Sequence, residues 1–382
     1  MLFPDNDFNV PPDYAPVPGF MAEGCNAIMY DGPAWQGKPT RVFAWYGVPT
    51  GKLAGEKVPA IILVHGGGGT AFAEWVRLWT NRGYAAIAMD LCGCLPRARN
   101  GELGVSYNMW ERHPDGGPAG WGGVDQMELP LTDNWVAQAV TNIVRAHTLL
   151  RSFPEIDTAH IGITGISWGG YLTCIAAGLD NRFAYAVPVY GCGFLHEDSS
   201  FAGNIANIGA EKAASWIANF EPSVYLPQAE MPILWVTGTN DFAFPLSKVQ
   251  KSYRLPGGPR TLAIRVRMPH GHGGAGENPE EIRAFADSFS FDKAPLPQIT
   301  AQGRMEDTIW ATYESQTTIV SAELNYTTDT GNWEQREWHT VPAMLDTVGH
   351  RVSASCSPTA TAYLNLIDDR ALLVSSEHSE GV

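Results

Sequence analysis

Apolar residues fall into short unbroken runs separated by stretches with helical spacing. Val58–Val64 (VPAIILV) has no polar position, the pattern of a parallel strand buried on both faces. Phe72, Val76 and Trp79 then recur at helical spacing up to Gly83, predicting a helix over 70–82 that the glycine ends. The alternation repeats downstream. Strands are predicted at 84–89, 160–164, 183–189, 232–237 and 261–267, and an amphipathic helix over 133–151. A further helix is expected to start at Asn278-Pro279-Glu280-Glu281, with Asn278 as its cap. Strands alternating with helices imply an α/β fold: a mostly parallel sheet with helices on both faces and right-handed crossovers.

The pattern changes at both ends. Residues 1–39, rich in Pro, Asp and Asn at the start, read as an extended N-terminal arm ahead of a strand at 40–48. After the Pro-rich link Asp292–Pro297, residues 298–382 carry only short alternating runs with turn signals, predicting a small all-β sandwich-like domain. The α/β region is then 40–292. It has two insertions, 92–131 and 192–230, the second with a helix around 211–219.

With 45% hydrophobic residues the chain can build a large core, and a net charge of −15 argues against nucleic acid or an anionic membrane as a partner. The first residues lack a basic and then an apolar segment, so no signal peptide is expected; cytoplasmic location and secretion with the signal removed both stay open. Six cysteines give neither a disulfide framework nor zinc spacing, and Cys92-x-Cys94 has no second pair. His196-Glu197-Asp198 reads as solvated loop rather than metal ligands. Neither metal nor cofactor is expected.

Chemistry enters with Gly165-Ile166-Ser167-Trp168-Gly169, set between a predicted strand and a predicted helix. That context makes it a nucleophile elbow, a tight turn exposing a serine above the sheet. His65-Gly66-Gly67-Gly68-Gly69 directly follows an earlier strand, where N–H groups without side chains can face a developing oxyanion. Gly67 and Trp168 are the expected donors, with Gly68 in reserve. Asp241 ends another predicted strand, and His270 and His272 follow the next. Ser167, Asp241 and His270 lie 74 and 29 residues apart, in the order nucleophile, acid, base. Spacing does not choose between His270 and His272; His270, nearer the strand, is preferred. Trp110 and Trp121 in the first insertion are candidate substrate contacts, able to stack on a sugar ring.

On these motifs the first 290 residues resemble the α/β-hydrolase superfamily, and within it the acetyl xylan esterase and dienelactone hydrolase-like group. The prolyl oligopeptidase and acylaminoacyl peptidase group is the next nearest. The resemblance implies a nucleophile at Ser167, an acid at Asp241 and a base at His270. It also implies a serine carboxylic ester hydrolase acting on a small-molecule or carbohydrate ester, of acetyl xylan type. A serine exopeptidase and a non-catalytic binding module are the alternatives. Two features depart from the group: Leu91-Cys92-Gly93-Cys94 stands where an Arg-Gly-Gln-like turn is usual, and the compact esterases lack a C-terminal sandwich. Whether copies of the chain associate is left open.

Overall fold

The computed structural model describes residues 2–51, 53, 55–96 and 110–381. Its main sheet begins with β1 (Tyr14–Pro16), β2 (Asn26–Trp35), β3 (Lys38–Gly47), β4 (Val58–Val64) and β5 (Ala85–Met89). A separate ribbon, β6 (Cys94–Pro96) with β7 (Trp110–Arg112), follows. The sheet resumes with β8 (Ile156–Ile166), β9 (Tyr185–Val189), β10 (Ile233–Gly238) and β11 (Arg260–Arg265). The spatial order is β1-β2-β3-β5-β4-β8-β9-β10-β11; the run from β5 to β11 is parallel and β1 to β3 form an antiparallel margin.

The helices are α1 (Asp5–Asn9), α2 (Ala73–Thr80), α3 (Trp135–Ser152), α4 (Trp168–Leu179), α5 (Ala202–Asn207), α6 (Ala210–Phe220), α7 (Leu246–Tyr253), α8 (Gly274–Glu277) and α9 (Glu280–Ser290). All seven residues of β4 are buried because both its faces are covered. Ala60, Ile62 and Val64 join the core formed with α3 and α4, whereas Ile61 and Leu63 join the core formed with α2 and α9. That two-sided burial is why the sequence shows a continuous apolar run there.

Two expectations need correction. The first 39 residues are not simply an extended arm, since β2 pairs antiparallel with β3 and buries Ala27–Tyr30. Ahead of it α1 docks on α3, with Arg145 and Thr148 bound to the side chain and carbonyl of Asp7. The polar composition of the segment hides one short apolar run that suffices for a strand. At α9 the cap position is Pro279 and makes no side-chain cap bond; Asn278 Oδ1 instead accepts from Arg82.

The C-terminal region holds β12 (Gln298–Met305), β13 (Thr308–Glu314), β14 (Ile319–Thr327), β15 (His339–Pro342), β16 (Met344–Asp346), β17 (Arg351–Ser355), β18 (Thr361–Asp368) and β19 (Leu373–Ser375). They form two four-stranded antiparallel sheets, β12-β13-β17-β16 and β15-β14-β18-β19. Ile309, Ala311 and Val352 from one sheet share a core with Leu324, Leu364 and Leu366 from the other. Trp333 and Trp338 are buried not there but in the core of the larger body, together with Tyr363. The sandwich also covers the outer edge of β11: Ile264 N–H donates to Ser375 Oγ at 2.8 Å, and Asn365 Nδ2 donates to Ile264 O at 3.3 Å. An open sheet edge would leave these groups to solvent or to another chain.

Candidate active site

Ser167 sits between β8 and α4 with φ 58° and ψ −119°, a region that non-glycine residues rarely occupy. Such a conformation costs about 1–3 kcal/mol and persists only when its surroundings enforce it. Here Ser167 N–H donates to Val189 O at 3.0 Å, and Tyr171 N–H donates to Ser167 O at 2.9 Å. The serine hydroxyl does not cap the helix, and the helix start leaves the Trp168 N–H without an intrahelical acceptor. The glycines around it are set by close approach. A Cβ on Gly169 would lie 2.0 Å from Val64 O, and one on Gly66 would lie 2.8 Å from Ile166 O and 3.1 Å from Ser167 Cβ.

That second contact brings the His65–Gly69 loop against the elbow. Gly69 N–H donates to Gly66 O at 3.0 Å and Gly66 N–H donates to His272 Nε2 at 3.0 Å, so Gly67 and Gly68 supply the loop's remaining amides. His65 underpins the turn: its Nε2 accepts from Leu91 N–H at 3.0 Å, so Nδ1 holds the proton and donates to Gly66 O at 2.9 Å. Burial pushes this imidazole down to about 3, so it is neutral.

The two histidines that the sequence left open have different partners. His270 Nδ1 lies 2.6 Å from Asp241 Oδ2, and its side chain is 14% exposed. With Nδ1 donating to the carboxylate, Nε2 is the nitrogen able to take a proton. Asp241 is itself fixed, as its Oδ1 accepts the Ala243 and Phe244 N–H groups at 2.9 and 2.7 Å. His272 instead accepts from Gly66 at Nε2 and donates from Nδ1 to Glu277 Oε1 at 2.9 Å, which occupies both its nitrogens.

Several residues here escaped the sequence reading. Tyr190, next to Val189 at the carboxyl end of β9, stacks on His270 with ring centres 4.5 Å apart and bonds Gly271 O through its hydroxyl at 2.7 Å. Its place at a strand's carboxyl end was the available signal. Asn240 carried none, because its partners are more than 90 residues away; Glu277 is five residues from His272, but nothing in the pattern marks the pair. Trp121 packs edge-on against His65 at 6.0 Å and reaches Gly67, where a Cβ would meet its ring at 3.7 Å. Trp110 opens β7, and its side chain lies outside the described residues.

The Leu91–Cys94 turn wraps Asp90, whose Oδ1 accepts the Cys92 and Cys94 N–H groups, both at 2.8 Å. All six cysteines are free thiols, and burial pushes Cys94 up to about 11. Glu197, in the triplet weighed as metal ligands, pairs with Lys248 and Lys251 at 3.3 and 2.5 Å. Among the described residues no helix is long and apolar enough to cross a membrane.

The family described as acetyl xylan esterase matches residues 25–199, which include the glycine loop and the elbow. The prolyl oligopeptidase family matches residues 128–296, which include the elbow, Asp241 and both histidines. Among solved structures, acetyl xylan esterase from Paenibacillus sp. R4 is similar at 22% identity and TM-score 0.54, over 74% of this chain and 90% of that one. Acetyl xylan esterase 1 from Thermoanaerobacterium sp. JW/SL YS485 matches at 16% identity and TM-score 0.50, over 70% and 90%. The chain has the α/β-hydrolase fold. The matched esterase family supports a serine carboxylic ester hydrolase. An acylaminoacyl peptidase bound to a Z-Gly-Gly-Phe-chloromethyl ketone shares the fold at 20% identity and TM-score 0.50, but this protein spans only 42% of that chain's length.

Proposed function

We propose that Ser167, His270 and Asp241 form the catalytic triad of an esterase that removes acyl groups, acetyl foremost, from a decorated carbohydrate. The observation carrying the proposal is the 2.6 Å contact of His270 Nδ1 with a buried Asp241, alongside a serine held in the elbow conformation. A serine hydroxyl becomes an effective nucleophile when a neutral imidazole accepts its proton. Asp241 fixes the tautomer that leaves Nε2 basic and stabilises the imidazolium that forms.

Attack of Ser167 Oγ on the ester carbonyl gives a tetrahedral oxyanion, which the Gly67 and Trp168 N–H groups would receive. Collapse expels the alcohol with the proton held on His270, leaving an acyl-serine. Water then attacks the acyl carbon as its proton passes to His270, and collapse of this second oxyanion breaks the bond to Ser167 Oγ, which takes the proton back from His270 as the acid leaves. Losing one such oxyanion donor costs roughly 100- to 1,000-fold in rate. Trp121, against the glycine loop, would border the bound ester.

Hydrolysis of p-nitrophenyl acetate and butyrate beside Ala- and Pro-p-nitroanilides tests this reading. Ester turnover without anilide cleavage, abolished by Ser167→Ala, is expected. The prolyl oligopeptidase family match over residues 128–296 favours a second reading, a serine exopeptidase, and anilide cleavage would select it.

A further inference from the structure

A polar cavity of about 760 Å³ opens beside the triad, between the second insertion, the loop after β10 and the sandwich. Ser199 and Ser200 line it from the insertion, Phe242 and Lys248 from the catalytic body, and Asn332 and Arg336 from the turn before β15. Phe242 connects it to the chemistry. This ring is 55% exposed and lies 4.8 Å from the His270 imidazole, so it presents an aromatic face to the cavity next to the base. Asp241 itself forms part of the wall.

The wall from the sandwich is held rigidly. Asn240 Nδ2 donates to the carbonyls of Trp333, Glu334 and Arg336 at 3.1, 2.9 and 2.7 Å. Arg336 lies over the Trp333 ring at 3.7 Å and bonds Gly331 O, so its guanidinium is pinned rather than free to reach an anion. Lys248 is likewise held by Glu197 at 3.3 Å. Acidic side chains at Asp198, Asp241, Glu334 and Glu380 outnumber these two cations in the lining, so the space does not favour an anionic group.

From this arrangement we infer that the cavity is the subsite for the alcohol side of the ester: one or two sugar units of a neutral, hydroxyl-rich chain, with Phe242 as the stacking surface. A mixed set of short polar side chains around one exposed aromatic ring suits neutral hydroxyls and an apolar sugar face better than a charged peptide end or a long acyl tail. The sandwich then acts in substrate choice, since a wall of the subsite comes from it. The inference rests on the esterase reading above.

The test compares kcat/KM for acetylated xylo-oligosaccharides with that for p-nitrophenyl acetate, whose small leaving group does not need the cavity. Three variants are compared with wild type: Phe242→Ala, which removes the platform, and Ser200→Trp and Glu334→Trp, which fill the cavity from opposite walls at exposed positions. The ratio of oligosaccharide to p-nitrophenyl acetate kcat/KM should fall at least tenfold in each, mainly through KM for the oligosaccharide. A ratio unchanged in both tryptophan variants overturns the inference, as does wild-type enzyme that turns over p-nitrophenyl acetate but no acetylated oligosaccharide. Failure of the esterase reading looks different: p-nitrophenyl acetate turnover would then survive Ser167→Ala.

Discussion

His272 and Gly66 are 206 residues apart in sequence, yet the Gly66 N–H donates to His272 Nε2 at 3.0 Å. The bond ties the glycine loop after β4 to the loop after β11 that carries His270. In the proposed mechanism His272 would therefore be a positioning residue for the oxyanion side of the site, while His270 bonds Asp241.

The two histidines should therefore separate kinetically. His270→Ala is expected to lower kcat by about 10,000-fold or more, as loss of a triad member does. His272→Ala should lower kcat by roughly 10- to 100-fold with little change in KM, because it loosens the oxyanion loop without removing the base. Steady-state kinetics on p-nitrophenyl acetate decides, and equal losses would show that the roles are misassigned.

Asn240 joins the sandwich to the loop holding Asp241 through three hydrogen bonds. Asn240→Ala should destabilise the protein by about 1–2 kcal/mol, at roughly 1 kcal/mol net for each of the two amide hydrogens that the three carbonyls share. Chemical denaturation measures this. A loss of activity below the melting temperature should accompany it, because the acid loop shares the support.

Stability should fall on the acid side. The His65 imidazole is pushed down to about 3 in the fold by burial, against an ordinary 6.5 when unfolded. The unfolded chain therefore binds a proton first, and stability present above pH 6.5 is lost as pH falls from there towards 3. Burial lowers His147 and His378 in the same direction. Asp90 opposes them: burial raises it to about 6, so the folded state gains from protonation between pH 6 and its ordinary 3.8. Three histidines against one carboxyl give a melting temperature that declines below about pH 6.5, and calorimetry across pH 4–8 checks it. His65→Gln should show a shallower decline.

Glycine substitutions should sort by space. Gly169→Ala places a Cβ 2.0 Å from Val64 O, inside the packing of α4 on β4, and should prevent stable folding. Gly203→Ala, in α5 with nothing within 4 Å, should stabilise by roughly 0.5–1 kcal/mol. Thermal melts of the two variants provide the comparison.

The parts of the fold legible in sequence were those whose burial is two-sided or whose turns need glycine. β4, buried throughout, shows as an unbroken apolar run, and the elbow shows because the approaches at Gly66 and Gly169 admit no Cβ. β2 was missed because its short apolar run, Ala27–Tyr30, sits in a polar, Pro-rich segment. Asn278 was misread as a cap because its competing partner, Arg82, is far away in the chain. Asn240, Trp333 and Trp338 likewise find their partners far away in the chain. Local pattern predicts an element, but which of two bodies buries Trp333 depends on docking that no short window contains.

The central claim is that Ser167 is a nucleophile activated by His270. Reaction with a fluorophosphonate probe, read by intact mass and peptide mapping, tests it most directly. The account predicts one adduct per chain, on Ser167, formed far more slowly in His270→Ala than in His272→Ala. An adduct on another residue, no adduct, or labelling undiminished in His270→Ala would contradict it.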